Sequence, residues 1–120
     1  MPLYTSPASG AEIVPGDQFQ LFDGTETPAA AMKSAAVNVG LGYGARPLRL
    51  AFTVAFPSAP TASVDIYAAN QNIDSAYQKL TTTAISTQNG GYVDTSGYAW
   101  YRAVLSAYTS GGMPVVSVQA

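Results

Sequence analysis

The stretch Leu48–Phe56, "LRLAFTVAF", limits this chain's choices more than any other. Leu48, Leu50, Phe52, Val54 and Phe56 fall on one side, and Arg49, Ala51, Thr53 and Ala55 on the other. Strict alternation is the period of a half-buried strand. A strand with one apolar face must bury that face against a second layer, so the stretch commits the chain to layered β structure.

The remainder of the chain follows the same period. In Asp17–Asp23, "DQFQLFD", Phe19 and Leu21 alternate with Gln18 and Gln20, and Asp23-Gly24 supplies a turn signal. Val37, Val39 and Leu41 are in phase. In "TASVDIYAA", 61–69, Ala62, Val64, Ile66 and Ala68 point inward, and Ser63, Asp65 and Tyr67 outward. Gln78–Ser86 is rich in β-prone Thr, and "QNGG" at 88–91 reads as a hairpin turn into a short strand at Tyr92–Asp94. Tyr98–Tyr108 is a long strand with both faces populated, and "PVVSVQ" after "SGG" closes the chain as a last strand. Thr27–Ala36, "TPAAAMKSAA", suits either a short helix begun at Pro28 or an Ala-rich loop. Residues 1–16, rich in Pro, Gly, Ser and Ala, read as an extended arm with at most a short strand at Glu12–Val14.

The expected fold is therefore all-β: an antiparallel β-sandwich or jelly-roll-like barrel of seven to eight short strands, with at most one short helix. The arm, 1–16, precedes a single sandwich domain, 17–120. The chain shows no sequence repeat and no low-complexity segment.

Composition narrows the function. Hydrophobic residues make up 48% of the 120, enough for a core. Charged residues make up only 10%, against roughly 25% in an average soluble domain. A surface so poor in charge implies that part of it is covered by a partner or by copies of the chain. The net charge of −2, with Lys33, Arg46, Arg49, Lys79 and Arg102 scattered, predicts no nucleic-acid partner. No apolar run reaches the roughly 20 residues that span a bilayer, so no membrane partner is expected. The N-terminus lacks a basic start and an apolar stretch, so it predicts no signal peptide. Histidine and cysteine are absent. That removes the commonest general base, the commonest transition-metal ligand, the thiolate metal sites and any disulfide. No enzyme activity, cofactor or metal is expected.

Weak constellations remain. "GLGYGA", 40–45, has the wrong spacing for a dinucleotide loop and leads into a strand where phosphate binding needs a helix N-terminus. Asp65, Asp74 and Asp94, with Asn70 and Asn72, suit either oxygen ligation of calcium or an Asx-rich turn. No pair among the seven acids sits in a distinctive motif for glycoside hydrolysis. The aromatics weigh more. Tyr67, Tyr77, Tyr92, Tyr98, Trp100, Tyr101 and Tyr108 all fall in the second half. Such rings serve a core, a protein interface or a sugar platform. Tyr101, Ala103 and Leu105 form one face of their strand, Trp100, Arg102 and Val104 the other. One face must be core; the other is exposed or covered by a neighbour. Arg102 is placed to pair with Asp94 or Asp65.

Residues 61–120 carry a resemblance. "VDIYAANQNIDSAYQKL", a Thr-rich strand and "GGYVDTSGYAWYRAVLSAYTSGGMPVVSVQ" resemble small β-sandwich proteins encoded among the structural genes of tailed bacteriophages. A discoidin-like sandwich is the other resemblance, through "NQNIDSAYQKL", but Asn72-Ile73 and Tyr77 stand where its Asp-Gly and Trp belong. The phage resemblance implies a virion component on the capsid surface, made in the host cytoplasm: a head decoration or cement protein. It implies the major capsid protein as partner and self-association, as a trimer, with the N-terminal arm draped across the shell. Leu3 and Tyr4 in the arm, with Tyr67, Trp100 and Tyr101, are then the partner-contact candidates. Asp65, Asp94 and Arg102 are the structural ion-pair candidates. A carbohydrate- or receptor-binding tail module, or a tail or neck subunit, is the alternative.

Overall fold

The computed structural model describes residues 3–7, 12–13, 16–39 and 49–120, with backbone alone for 3–7 and Glu12. Two sheets face each other. The first contains β1 (Leu3–Pro7), β3 (Gln18–Asp23), β6 (Leu50–Ala55), β9 (Asn89–Asp94) and β11 (Val115–Gln119), in the order β1-β3-β11-β6-β9. The second contains β2 (Glu12–Ile13), β5 (Val37–Val39), β7 (Thr61–Ala69), β8 (Gln78–Lys79) and β10 (Trp100–Ser110), in the order β2-β5-β10-β7-β8. A further strand, β4 (Met32–Lys33), pairs with β10 beside β5. Neighbours run antiparallel except β1 with β3 and β2 with β5, which are parallel. Among the described residues the sheets share no ladder, and the chain is an all-β sandwich.

The period-two stretches build it. Leu50, Phe52, Val54 and Phe56 are buried while Thr53 and Ala55 are exposed. Val64, Ile66 and Ala68 of β7 and Tyr101, Ala103 and Leu105 of β10 bury against Val116 and Val118 of β11 and the Phe19 and Leu21 of β3. A register shift between Val116 and Ser117 leaves Leu21 as an extra residue in β3. Two consecutive side chains, Leu21 and Phe22, are buried there, which plain alternation forbids and a bulge permits.

The strands outnumber the expected seven or eight because β2, β4 and β8 have two residues each, too short to show a period. The N-terminal segment read as an arm also supplies β1, on the edge of β3. No helix forms over Thr27–Ala36. Its backbone bonds go sideways to β10, from the Ala31 N–H to the Leu105 carbonyl and from the Ser34 N–H to the Ala103 carbonyl. Ala31 itself sits at φ 63°, outside the right-handed helical region. The only helical residues described are a 3-10 turn at Asp74–Ala76.

The hairpin expected at "QNGG" is not there. Asn89, Gly90 and Gly91 lie inside β9, opposite Ala55, Val54 and Thr53. β8 and β9 belong to different sheets, so 80–88 is a crossing between layers. Gly90 serves close approach and not a turn: a Cβ there would lie 2.5 Å from the Ile85 side chain. The 40–45 loop lies outside the described residues.

The aromatic centre joins the layers. The Phe52 ring of the first sheet lies 5.8 Å from that of Tyr101 in the second, and 6.3 Å from Tyr92. Phe52→Ala is expected to cost about 3–5 kcal/mol, seen as a lower urea midpoint with an unchanged slope.

Candidate functional site

Directly paired residues of neighbouring strands project from the same face. Tyr101 points into the core, so Trp100 and Arg102 point out of the second sheet. The register sets Trp100 beside Asn38 and Ala69, Arg102 beside Tyr67, and Tyr67 beside Lys79. Val104 stands between Lys33 and Asp65. Of the sequence candidates, Tyr67, Trp100, Arg102 and Asp65 thus share one surface. Trp100 and Tyr67 are half-buried.

Arg102 is only 8% exposed because the chain covers it. The segment after β7 folds back through the Asp74–Ala76 turn and sets the Tyr77 ring 3.8 Å from the guanidinium. The Tyr77 hydroxyl donates to Asn72 Oδ1 at 2.6 Å, which holds the ring in place. Arg102 Nη1 donates to Asp74 Oδ1 at 2.7 Å, and Lys33 Nζ lies 3.5 Å from the other carboxylate oxygen. The hydrogen bond from Arg102, and then the Lys33 charge, hold the Asp74 carboxyl below its ordinary value. Burial pushes the Tyr77 hydroxyl up.

Arg102 therefore pairs with Asp74 and not with Asp65 or Asp94. Asp65 is buried on the outer face and accepts the Thr81 hydroxyl at 2.5 Å, while Thr81 Oγ1 accepts the Ile66 N–H. Asp94 lies at the end of β9, where it accepts the Tyr101 hydroxyl at 2.5 Å and the Ser96 hydroxyl at 2.7 Å. The three aspartates go to three different partners and do not gather as a cation site. Tyr101, expected as a partner contact, is 1% exposed and is a core residue. The side chains of Leu3 and Tyr4 lie outside the described residues.

Two polar atoms on this face are buried without a hydrogen-bond partner among the described residues: Asn38 Oδ1 and Arg102 Nε. Asn38 is the cross-strand neighbour of Trp100 in the register, and Arg102 follows Trp100 two residues along β10. Alternation located Trp100, Arg102 and Tyr67; it had no means of finding Lys33, Asn38, Asp74 or Tyr77 as their neighbours.

The first sheet presents a different surface. Its outward residues form three registered rows: Asp23–Val115–Ala55–Asn89, Gln20–Ser117–Thr53–Gly91 and Gln18–Gln119–Ala51–Val93. Asp23 is the only charge in these rows. Small neutral side chains dominate, and Val93 is 50% exposed.

Comparison with protein-family models, with curated proteins and with solved structures gave no match.

The Tyr101–Asp94 contact yields a pH prediction. Burial first, and then Asp94, raise the Tyr101 hydroxyl far above its ordinary value of 10.0. Folded Tyr101 keeps a proton that the unfolded chain releases near 10.0, so this contribution is complete below that pH and declines above it. Tyr101→Phe is expected to cost about 1–3 kcal/mol near neutrality, because it leaves a buried carboxylate one donor short. Urea titrations on either side of the ordinary tyrosine value should show a shallower alkaline decline in the variant than in the wild type.

Proposed function

We propose that this chain is a structural protein of a tailed-bacteriophage particle, a decoration or cement protein that stabilises the head. The observation that carries the reading is the outer face of the first sheet, three registered rows with a single charge. A surface of that kind suits being covered. The resemblance of residues 61–120 supplies the particle, and with it the major capsid protein and further copies of the chain as partners. Copies seated at a threefold position would form the trimer. Such a protein works by area, at about 25 cal/mol for each Å² of apolar surface removed from water. Many copies on one lattice add avidity. No residue needs to do chemistry, and neither nucleic acid nor membrane takes part.

Coexpression with the major capsid protein encoded in the same genome tests this. The chain is expected to co-sediment with assembled shells and to raise their melting temperature. Removal of residues 1–10 should abolish binding. A full-length chain that never associates with shells overturns the reading.

A second reading, a carbohydrate- or receptor-binding module of a tail, is favoured by one observation. Half-buried Trp100 and Tyr67 share a face with the unfilled Asn38 Oδ1 and Arg102 Nε. A sugar ring stacks on an aromatic and takes hydrogen bonds at its rim. Trp100 is the chain's single tryptophan, so its fluorescence reports this face directly. On this reading a glycan quenches or shifts that emission, and Trp100→Ala loses binding at least about tenfold. An unchanged spectrum across a glycan panel removes the reading.

A further inference from the structure

We infer that β9 pairs edge to edge with the β9 of a second copy, across a twofold axis, and so joins two first sheets into one continuous sheet. The inference does not rest on the virion reading. It begins with the strand order, in which β9 is terminal: β6 holds one side, and no described strand pairs with the other.

Hydrogen-bond parity identifies what that free side presents. The Phe56 N–H donates to the Gln88 carbonyl at 2.8 Å, in register with the β6–β9 ladder. Bonded pairs recur at every second residue of an antiparallel ladder. Gly90, Tyr92 and Asp94 therefore spend their backbone groups on β6. Asn89, Gly91 and Val93 direct theirs outward. The Asn89 carbonyl already accepts the Thr87 hydroxyl, which leaves Gly91 and Val93 as the principal open positions.

Natural edge strands are kept short, charged or interrupted by proline, because an open ladder recruits another strand. Among the described residues the other three edge strands carry such protection and β9 does not. β8 has two residues and ends in Lys79. β2 has two residues and begins with Glu12. β1 covers β3. β9 has six residues, "NGGYVD", with no lysine and no proline, and its one charge, Asp94, is turned into the structure toward Tyr101.

Charge selects a second copy as the occupant. A twofold axis sets each edge against its own image, so a charged edge repels itself. The strip from Asn89 to Val93 is neutral, and so are the positions behind it on β6, Ala51, Thr53 and Ala55. Antiparallel pairing centred on Gly91 sets Asn89 opposite Val93 of the copy. It covers Val93, one of two large apolar side chains exposed among the described residues.

Sedimentation equilibrium from micromolar to millimolar concentration tests the inference, with three variants. Val93→Lys adds self-repelling charge. Val93→Pro removes an outward donor and no internal hydrogen bond. Asn89→Cys with Val93→Cys places thiols opposite each other in a chain that otherwise has no cysteine. The wild type should show a reversible dimer. Both single variants should weaken it at least about tenfold while keeping the wild-type circular dichroism, and the double cysteine variant should cross-link on oxidation. A wild type that stays monomeric, an oligomer that both folded single variants leave intact, or a double variant that does not cross-link overturns it. The virion reading survives any of these, since its own test is shell binding.

Discussion

Strand β10 has different work on its two faces, and the second sheet depends on it. Tyr101, Ala103 and Leu105 fill the core while Trp100, Arg102 and Val104 face outward, where two of the three are nonetheless buried. The inward side reaches across the sandwich: the Tyr101 hydroxyl crosses to Asp94 on the first sheet and also accepts the Tyr98 N–H. The outward side draws the chain over itself. A guanidinium on the central strand loses water when a loop crosses it, so Tyr77 and Asp74 must arrive together to compensate. That requirement fixes the segment between β7 and β8, which has little regular structure of its own.

The sequence revealed the layers well and their coverings badly, for a physical reason. Burial on one side of a strand writes a period of two, and Leu48–Phe56 and 61–68 carry that period without interruption, while β10 has both faces populated. A contact between a loop and a sheet face writes no period. The sequence places Arg102 to pair with Asp94 or Asp65, whereas its partner is Asp74, which lies in the irregular turn that reaches it. Asp65 and Asp94 go instead to hydroxyls, those of Thr81 and Tyr101. The face shared by Trp100, Arg102 and Tyr67 was half legible, since alternation gives direction but not register between β7 and β10. Asn89-Gly90 misled because glycine has two uses. Here the missing Cβ admits Ile85, and the chain does not turn.

The few charges are distributed unevenly, and that distribution separates the two outer surfaces. Asp65, Asp94 and Arg102 are taken into the body of the fold, where each answers one local demand. Lys33 and Asp74 gather over the second sheet around Arg102. What remains in the three registered rows on the outer face of the first sheet is glutamine, asparagine, serine, threonine, alanine, glycine, valine and one aspartate. Its neutrality follows from where the other charges are held as much as from their scarcity.

The same economy bears on the open edge of β9. A lysine at an outward position of that strand would protect it as Lys79 protects β8. Glycine at 90 is required by the Ile85 side chain that passes beneath, as the crossing from the second sheet arrives against the first. Gly91 is nearly as confined, since a Cβ there would meet the Phe52 carbonyl at 3.1 Å. Packing therefore limits what the middle of β9 can carry, while nothing comparable restricts Val93 or Asn89 on the outer face. Those two positions are free to be charged and are not. An edge left neutral by packing alone would be an accident of the crossing. One left neutral where packing makes no demand is consistent with a strand whose other side is used.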